Sequence, residues 1–338
     1  MFMPIHDGRI AIKGAVPLEV TDKYIRPWRL DFERKALFYP DMMVLRASNA
    51  AGVRLEFSTN SDLIGLRYQE IDTSFHNPDR DTLSVDLEID TSDILPALFS
   101  HGSTGVVWNG LAGGLKNIRI WLHQFSTFAL TGIDLDDGAE IAGVTRECKK
   151  WIAYGSSITH SRDGLGPSQT WPAIVSRTLD LDLTCLGFGG QCHLDPIYAK
   201  LIRDLPADMI SLKLGINTHG RSLSPRTYRP AIIGFVDRIR EKHSETPLFL
   251  CSPIFGGPRE TESVHDDGYT LQFMRSEMKR VVEIYRSMGD GNLHYVDGLK
   301  LFGPEYADYL PDNTHPDGRG QPIMAENFIK AVKPAISQ

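Results

Sequence analysis

The sequence has no apolar run long enough to cross a bilayer as a helix, which argues against an integral membrane protein. It has no cluster of Lys and Arg with interleaved aromatic residues, and its formal net charge is −7, so binding of nucleic acid is not expected. Residues 1–7 contain neither a basic segment nor a long apolar one, so we identify no secretory signal and expect a cytoplasmic location. The absence of low-complexity tracts indicates an ordinary soluble globular protein.

Cysteine is scarce, and no two cysteines form a CxxC pair. This spacing argues against a zinc ribbon and against a disulfide framework, so we expect reduced thiols and no metal site. The four cysteines are Cys148, Cys185, Cys192 and Cys251.

A chain of 338 residues can bury two hydrophobic cores, and its two parts differ in periodicity. Residues 1–145 contain short runs of alternating apolar and polar residues, with few helical patterns, which predicts a jelly-roll-like β-sandwich as an accessory domain. Each strand is expected to bury one face and expose the other. The clearest alternating segments are residues 53–57, 63–68, 83–89 and 117–122.

Residues 146–338 alternate strand and helix patterns, which predicts an α/β domain with a five-stranded parallel sheet in a flavodoxin-like three-layer fold. Such sheets place their sites at the carboxyl ends of the strands. The predicted strands are Lys150–Tyr154, Leu183–Leu186, Met209–Leu214, Leu248–Ser252 and Leu293–Val296. The predicted helices are Trp171–Leu179, Asp195–Asp204, Pro225–Lys242, Leu271–Met288 and one more after Gly320.

Ser157 follows the first of these strands in a turn of small residues, and it is the candidate nucleophile. A serine hydroxyl needs a base and a group that orients the base. Asp312 and His315 lie three residues apart near the other end of the chain, a spacing that suits an acid and a base on one loop. The alternative is that these residues shape turns or cap a helix. Asp297 is a second candidate acid, and His160 a second candidate base.

Two further segments follow strands where an oxyanion would need donors. Gly190 follows the second strand, and glycine there lets a backbone N–H approach a substrate oxygen. Asn217 follows the third strand, and its amide can donate to the same point. Each segment alone is also consistent with turn formation. We expect His160 and Arg162, just beyond Ser157, to line the cleft.

These residues together resemble the SGNH/GDSL hydrolases, a family of serine esterases. The resemblance implies a triad of Ser157, Asp312 and His315, and an oxyanion hole formed by Ser157, Gly190 and Asn217. It also implies an acyl-serine mechanism with no metal and no organic cofactor.

The match departs from the commonest form of the family at three positions outside these catalytic groups: Ser156, Cys185 and Thr218. The Ser-Ser turn and the preceding sandwich resemble family members with an N-terminal β domain, several of which are carbohydrate acetyl esterases. We therefore expect a small O-acyl ester as the substrate, acetyl on a carbohydrate, and neither nucleic acid nor membrane as a partner.

Two other functions remain open from the sequence. One is a broader carboxylesterase, thioesterase or lipase, although no long apolar lid segment is visible. The other is a non-catalytic carbohydrate-binding protein, in which Trp28, Trp108 and Trp121 would form a sugar platform if they were not core residues. A pure binding protein would have no chemical reason to retain all five catalytic groups, which favours the enzyme.

Overall fold

Antiparallel strands form the N-terminal part of the chain in the computed structural model, which describes residues 1–73, 83–111 and 113–336. The first of two units comprises Met1–Cys148 with the segments Asp163–Ala173 and Asp182–Cys185. Its elements are β1 (Phe2–Pro4), β2 (Ala11–Lys13), β3 (Leu18–Val20), β4 (Ile25–Pro27), α1 (Asp41–Ser48), β5 (Arg54–Thr59), β6 (Ile64–Thr73), β7 (Ser84–Ile89), β8 (Asp93–Leu98), β9 (Gly105–Trp108), β10 (Lys116–Trp121), β11 (Ser126–Leu135) and β12 (Ile141–Ala142).

These strands form two antiparallel sheets, which confirms the all-β character predicted for this part of the chain. One sheet has the order β3-β4-β11-β6-β9, with β1 also paired to β11. The other has the order β12-β5-β10-β7-β8, with β2 also paired to β5. One buried cluster takes Leu55 and Phe57 from the second sheet and Leu66 and Tyr68 from the first, so both sheets contribute to the same core.

The expectation that each strand exposes one face is wrong for two strands of the second sheet, β5 and β7. Every residue of β5 is buried, and in β7 only the last residue is partly exposed. Buried charge requires a partner, and the carboxylates of this sheet have one. Glu56 accepts from Arg54 Nε at 2.7 Å, and Glu88 accepts from Trp121 Nε1 at 2.8 Å. Polar residues at alternate positions therefore form a buried ionic layer on this sheet.

Helical structure in this unit was not expected, yet α1 spans eight residues. Asp41 lies in its first turn and Arg46 in its last, which complements the helix dipole. Its buried residues are Met43, Ala47 and Ser48. This apolar stripe is too short for the sequence pattern to distinguish it from a strand.

The second unit comprises Lys149–Arg162, Ile174–Leu181 and the chain from Leu186 onward. Its sheet has the order β14-β13-β15-β16-β17 and is the predicted five-stranded parallel sheet. The remaining α-helices and strands among the described residues are β13 (Lys149–Gly155), α2 (Ser157–His160), α3 (Trp171–Leu179), β14 (Leu181–Gly187), α4 (Pro196–Asp204), β15 (Met209–Lys213), α5 (Pro225–Arg240), β16 (Leu248–Cys251), α6 (Leu271–Ser287), β17 (Leu293–Val296), α7 (Gly298–Leu301) and α8 (Gly320–Ile336).

The sheet lies between two helical layers. Trp151 and Tyr154 of β13 point to opposite faces, because residues three apart on a strand alternate. Trp151 stacks on Phe328 of α8 with ring centroids 5.4 Å apart, and Tyr154 stacks on Phe235 of α5 at 5.2 Å. This arrangement is the three-layer fold that the sequence predicts.

The register of the sheet brings the strand ends level with one another. Gly155 pairs with Lys213, Lys213 with Cys251, and Cys251 with Val296. The loops that follow these strands therefore begin at one edge of the sheet, as the sequence analysis expected.

The first unit also holds a segment that follows soon after Ser157 in sequence. Asp86 of β7 is fully buried and accepts hydrogen bonds from Ser168 N at 3.0 Å, Ser168 Oγ at 2.6 Å and Ser84 Oγ at 2.8 Å. A Cβ at Gly166 would lie 2.8 Å from Asp86 Oδ2, so the backbone approaches the carboxylate closely there. A single carboxylate thus fixes the segment Asp163–Ala173 to the second sheet of the sandwich.

We predict that Asp86→Ala lowers the free energy of unfolding by about 3 kcal/mol, because buried donors lose their acceptor. Urea denaturation of the full chain measures this change. Asp93→Ala is the matched control, since Asp93 is exposed on β8, and it is expected to change the free energy by less than ~0.5 kcal/mol. Equal effects of the two substitutions would contradict the prediction.

Candidate active site

The candidate nucleophile lies at the junction of β13 and α2. Ser156 is the N-cap of α2, and its Oγ accepts from Ile158 N at 3.3 Å. Ser157 is the first residue of the helix, where a backbone N–H has no acceptor within the helix. Gly155 permits this tight turn, because a Cβ there would lie 2.2 Å from Thr159 Oγ1. The turn leaves both the hydroxyl and the N–H of Ser157 available for chemistry.

Ser157, His315 and Asp312 form a continuous hydrogen-bonded chain. Ser157 Oγ is 2.6 Å from His315 Nε2, and His315 Nδ1 is 2.7 Å from Asp312 Oδ2. A carboxylate only accepts, so Nδ1 carries a hydrogen toward Asp312, and neutral Nε2 is left to accept from the Ser157 hydroxyl. Asp312 Oδ1 also accepts from the backbone of His315 at 2.9 Å, which fixes the acid relative to the base. The structure thus brings together the three residues that the sequence analysis selected.

Arg162 lies beside the acid. Its Nη1 is 3.6 Å from Asp312 Oδ2 and 3.5 Å from His315 Nδ1. Because Nδ1 already donates to Asp312, the guanidinium acts on the carboxylate rather than on the imidazole. Burial by itself would raise the pKa of Asp312, but the hydrogen bonds and charge of His315 and the charge of Arg162 hold that pKa well below its usual range. The sequence analysis placed Arg162 in the cleft without detecting this contact.

The two other candidate oxyanion donors lie on neighbouring turns. Gly190 has φ of +74°, and a Cβ on it would meet no atom within 4 Å. Asn217 follows β15, and its Oδ1 accepts from Cys192 N at 3.1 Å. This bond assigns the carbonyl side of the amide, so the Nδ2 hydrogens of Asn217 point away from Cys192. Sequence reasoning did not single out Cys192 N as the group that orients Asn217, since a backbone donor leaves no trace in residue type.

The alternative candidates have other partners. Asp297 is the N-cap of α7 and accepts from Leu299 N at 3.0 Å. His160 Nδ1 accepts from Gly189 N at 3.2 Å. Cys192 is no rival nucleophile, because burial raises the pKa of its thiol to about 12 and keeps it protonated.

The three tryptophans of the proposed sugar platform are buried. Trp28, Trp108 and Trp121 are 3%, 6% and 0% exposed, and each indole N–H donates within the first unit. An exposed aromatic platform built from these residues is therefore excluded.

The fold and the Ser-His-Asp chain define a protein of the serine acylhydrolase class. Residues 153–323 match the model of the GDSL-like lipase/acylhydrolase family, and residues 10–131 match the model of the SsfX3 N-terminal domain. The chain belongs to the GDSL-like lipase/acylhydrolase family. None of the curated proteins matches it significantly.

Several solved structures resemble the chain over its whole length. SsfX3, a salicylyl-acyltransferase from a tetracycline biosynthetic pathway, is 32% identical with a TM-score of 0.90, over 99% of this chain and 97% of that one. A candidate GDSL-like lipase from Bacteroides ovatus is 20% identical with a TM-score of 0.82, over 100% and 98%. An acetyl xylan esterase from the rumen bacterium Butyrivibrio proteoclasticus is 13% identical with a TM-score of 0.67, over 100% and 98%. The two structures that are 20% and 13% identical show a similar fold and nothing more.

Within the described ranges, no helix is both long enough and apolar enough to span a membrane.

We predict that Asp312 makes stability depend on pH. Its pKa is depressed in the folded state, so its contribution is complete above about pH 5 and is lost as the pH falls below the unfolded value of about 3.9. The difference in unfolding free energy between the wild type and Asp312→Asn should shrink as the pH falls from 5 toward 3. Urea titrations at each pH measure this; a difference that stays the same or grows between pH 5 and pH 3 would contradict the assignment.

Proposed function

We propose that this protein is a serine esterase that hydrolyses small O-acyl esters through an acyl-serine intermediate. Ser157 Oγ attacks the acyl carbonyl carbon while its proton passes to His315 Nε2. The C–O bond of the ester then breaks, and the leaving alkoxide takes that proton. In the second half, water attacks the acyl-serine, gives a proton to His315, and the carboxylic acid leaves as Ser157 recovers its hydrogen. Asp312 stabilises the imidazolium in both halves.

The observation that carries the proposal is the pair of short bonds on His315. Ser157 Oγ at 2.6 Å and Asp312 Oδ2 at 2.7 Å lie on the two ring nitrogens, which is the geometry that activates a serine near neutral pH. The same geometry supports Asp312 rather than Asp297 as the acid.

The oxyanion of the tetrahedral intermediate needs preorganised donors. We assign this role to the backbone N–H groups of Ser157 and Gly190 and to Asn217 Nδ2. The position of Ser157 at the start of α2 supports the first, and the open left-handed turn at Gly190 supports the second. The Cys192 contact that aims the Asn217 amide supports the third.

We propose an acetyl group on a carbohydrate as the substrate, residues 146–338 as the catalytic domain and residues 1–145 as an accessory domain. The acetyl assignment draws on the Ser-Ser turn with a preceding sandwich, and on an acetyl xylan esterase among proteins of this fold. A cytoplasmic location stays a prediction from the sequence.

A second candidate function is acyl transfer to an alcohol other than water. The likeness to a salicylyl-acyltransferase over 99% of this chain favours it, as does the match of residues 10–131 to the SsfX3 N-terminal domain. The first half-reaction is the same, and only the acceptor of the acyl group differs.

We predict that Ser157→Ala leaves a folded protein with no measurable turnover of p-nitrophenyl acetate, because the variant cannot form the acyl-enzyme. Steady-state kinetics and a thermal melt measure both parts of the prediction. Ser156→Ala is the matched control: Ser156 caps α2 by a single 3.3 Å bond, and its loss should cost about tenfold in kcat or less. Near wild-type turnover by Ser157→Ala would refute the mechanism.

We also predict that kcat/KM falls steeply from acetyl to butyryl and longer p-nitrophenyl esters. A kcat/KM that climbs with chain length rejects the acetyl assignment while leaving the triad intact.

Chromatography of the products in the presence of sugar and phenol acceptors measures how the acyl group divides between water and alcohol. Free acid as the main product supports the esterase. An acyl group transferred to the sugar or phenol supports the second candidate function.

A further inference from the structure

The proposed oxyanion donors Gly190 and Asn217 lie on two separate loops. Gly190 is the third residue of a turn closed by Gln191 N donating to Phe188 O at 3.0 Å. Its φ of +74° is the sign that a type II turn requires there. A Cβ on Gly190 would contact nothing within 4 Å, so no packed side chain holds the turn on that side. The hydrogen bonds around the turn therefore help to set the position of the Gly190 N–H.

One side of the turn is tied to the nucleophile segment. Phe188 N donates to Gly155 O at 2.8 Å, and Gly189 N donates to His160 Nδ1 at 3.2 Å. These two bonds fix the turn relative to Ser157. Neither bond involves the carbonyl of Gly190.

The carbonyl of Gly190 is hydrogen-bonded to the side chain of His193. Its Nε2 is 3.0 Å from Gly190 O, and its Nδ1 is 2.7 Å from Ser222 Oγ. The carbonyl only accepts, so Nε2 carries the hydrogen, and in the neutral ring Nδ1 accepts from the Ser222 hydroxyl. Ser222 lies on the loop between β15 and α5, which also carries Asn217. The imidazole thus links the loops that carry the two donors.

We infer that His193 is a positioning residue of the oxyanion hole, which fixes the Gly190 turn relative to the Asn217 loop through the bridge Gly190–His193–Ser222. This inference rests on the proposed function. The bridge acts together with the bond from Cys192 N to Asn217 Oδ1, so each loop is held to the other at two points. The hydrogen bonds of His193 go to Gly190 O and Ser222 Oγ, so we expect its effect to reach the reaction through the two donors.

The test compares His193→Phe and His193→Gln in the full-length protein with p-nitrophenyl acetate. Phe keeps the ring size and removes both hydrogen bonds, so kcat should fall about tenfold with KM within about twofold, since the donors are needed most when charge develops. Gln offers an amide N–H for Gly190 O and an oxygen for Ser222, so it should restore most of the loss. Wild-type kcat in His193→Phe overturns the inference, and so does a Gln variant as poor as Phe.

A double-mutant cycle separates positioning from a general structural effect. In the background Asn217→Ala, the loss from His193→Phe should shrink to about threefold or less, because one of the two groups it aligns is already missing. An equal fold decrease in kcat in both backgrounds overturns the inference.

If His193→Phe does not fold, Ser222→Ala replaces it, since Ser222 is exposed and only its hydroxyl is lost. Ser222→Ala should then lower kcat about threefold, and unchanged kcat overturns the inference.

His243→Phe is the matched control. His243 also bridges a carbonyl and a hydroxyl, Ile202 O at 3.1 Å and Thr246 Oγ1 at 3.2 Å, but it precedes β16 and so lies at the opposite edge of the sheet. The variant His243→Phe should lower stability without changing kcat.

The activity of Ser157→Ala tells the proposed function and the positioning role of His193 apart. If Ser157→Ala turns over substrate, the proposed function fails. An inactive Ser157→Ala together with a fully active His193→Phe refutes only the positioning role.

Discussion

The common carboxyl edge of the parallel sheet is the constraint on which the candidate site depends. Ser157 and His315 are 158 residues apart, yet their side chains lie within 2.6 Å because the strands that precede their loops end level with one another. The strands set where each loop begins, and short hydrogen bonds within and between loops set the rest. Asp312 is held by the backbone of His315, and Asn217 by the backbone of Cys192. A loop that shifted without these bonds would lose alignment although the sheet remained intact.

The sequence predicted the features that repeat along the chain or are local to a few residues. Helix α3 begins and ends as predicted, and the five strands of the parallel sheet lie where their apolar runs are. The spacing of Asp312 and His315 was sufficient to suggest their contact, because three residues on one loop keep two side chains within reach. Contacts between distant segments were not predictable in this way. The bonds between Ser168 and Asp86 span 82 residues, and neither residue type indicates that the other is its partner.

Period-two alternation failed as a guide to exposure in strands β5 and β7 of the sandwich, and the reason is physical. Alternation reports which side chains share a face, but whether the polar face meets water depends on what else the chain lays over it. Here Arg54 donates to Glu56 on its own strand and, at 2.6 Å, to Asp182 of a segment far along the sequence. The polar face is thus covered, and its charges are satisfied by one another. A buried charged pair is by itself weak evidence for stability, but removing one partner would leave an uncompensated buried charge, which is costly.

Hydrolysis and acyl transfer place the same demands on Ser157, His315 and the oxyanion donors, so these groups cannot decide between the two reactions. In the proposed mechanism, His315 Nε2 takes a proton from the hydroxyl that attacks the acyl-serine, whether that hydroxyl belongs to water or to an alcohol. The difference must arise from residues that bind the acceptor in the correct orientation, since a bound alcohol competes with water through its effective concentration. In an open α/β sheet such residues come from the loops at the carboxyl ends of the strands, and loops vary more among related proteins than the strands they connect. The identity of the acceptor is therefore a property of the loops rather than of the fold.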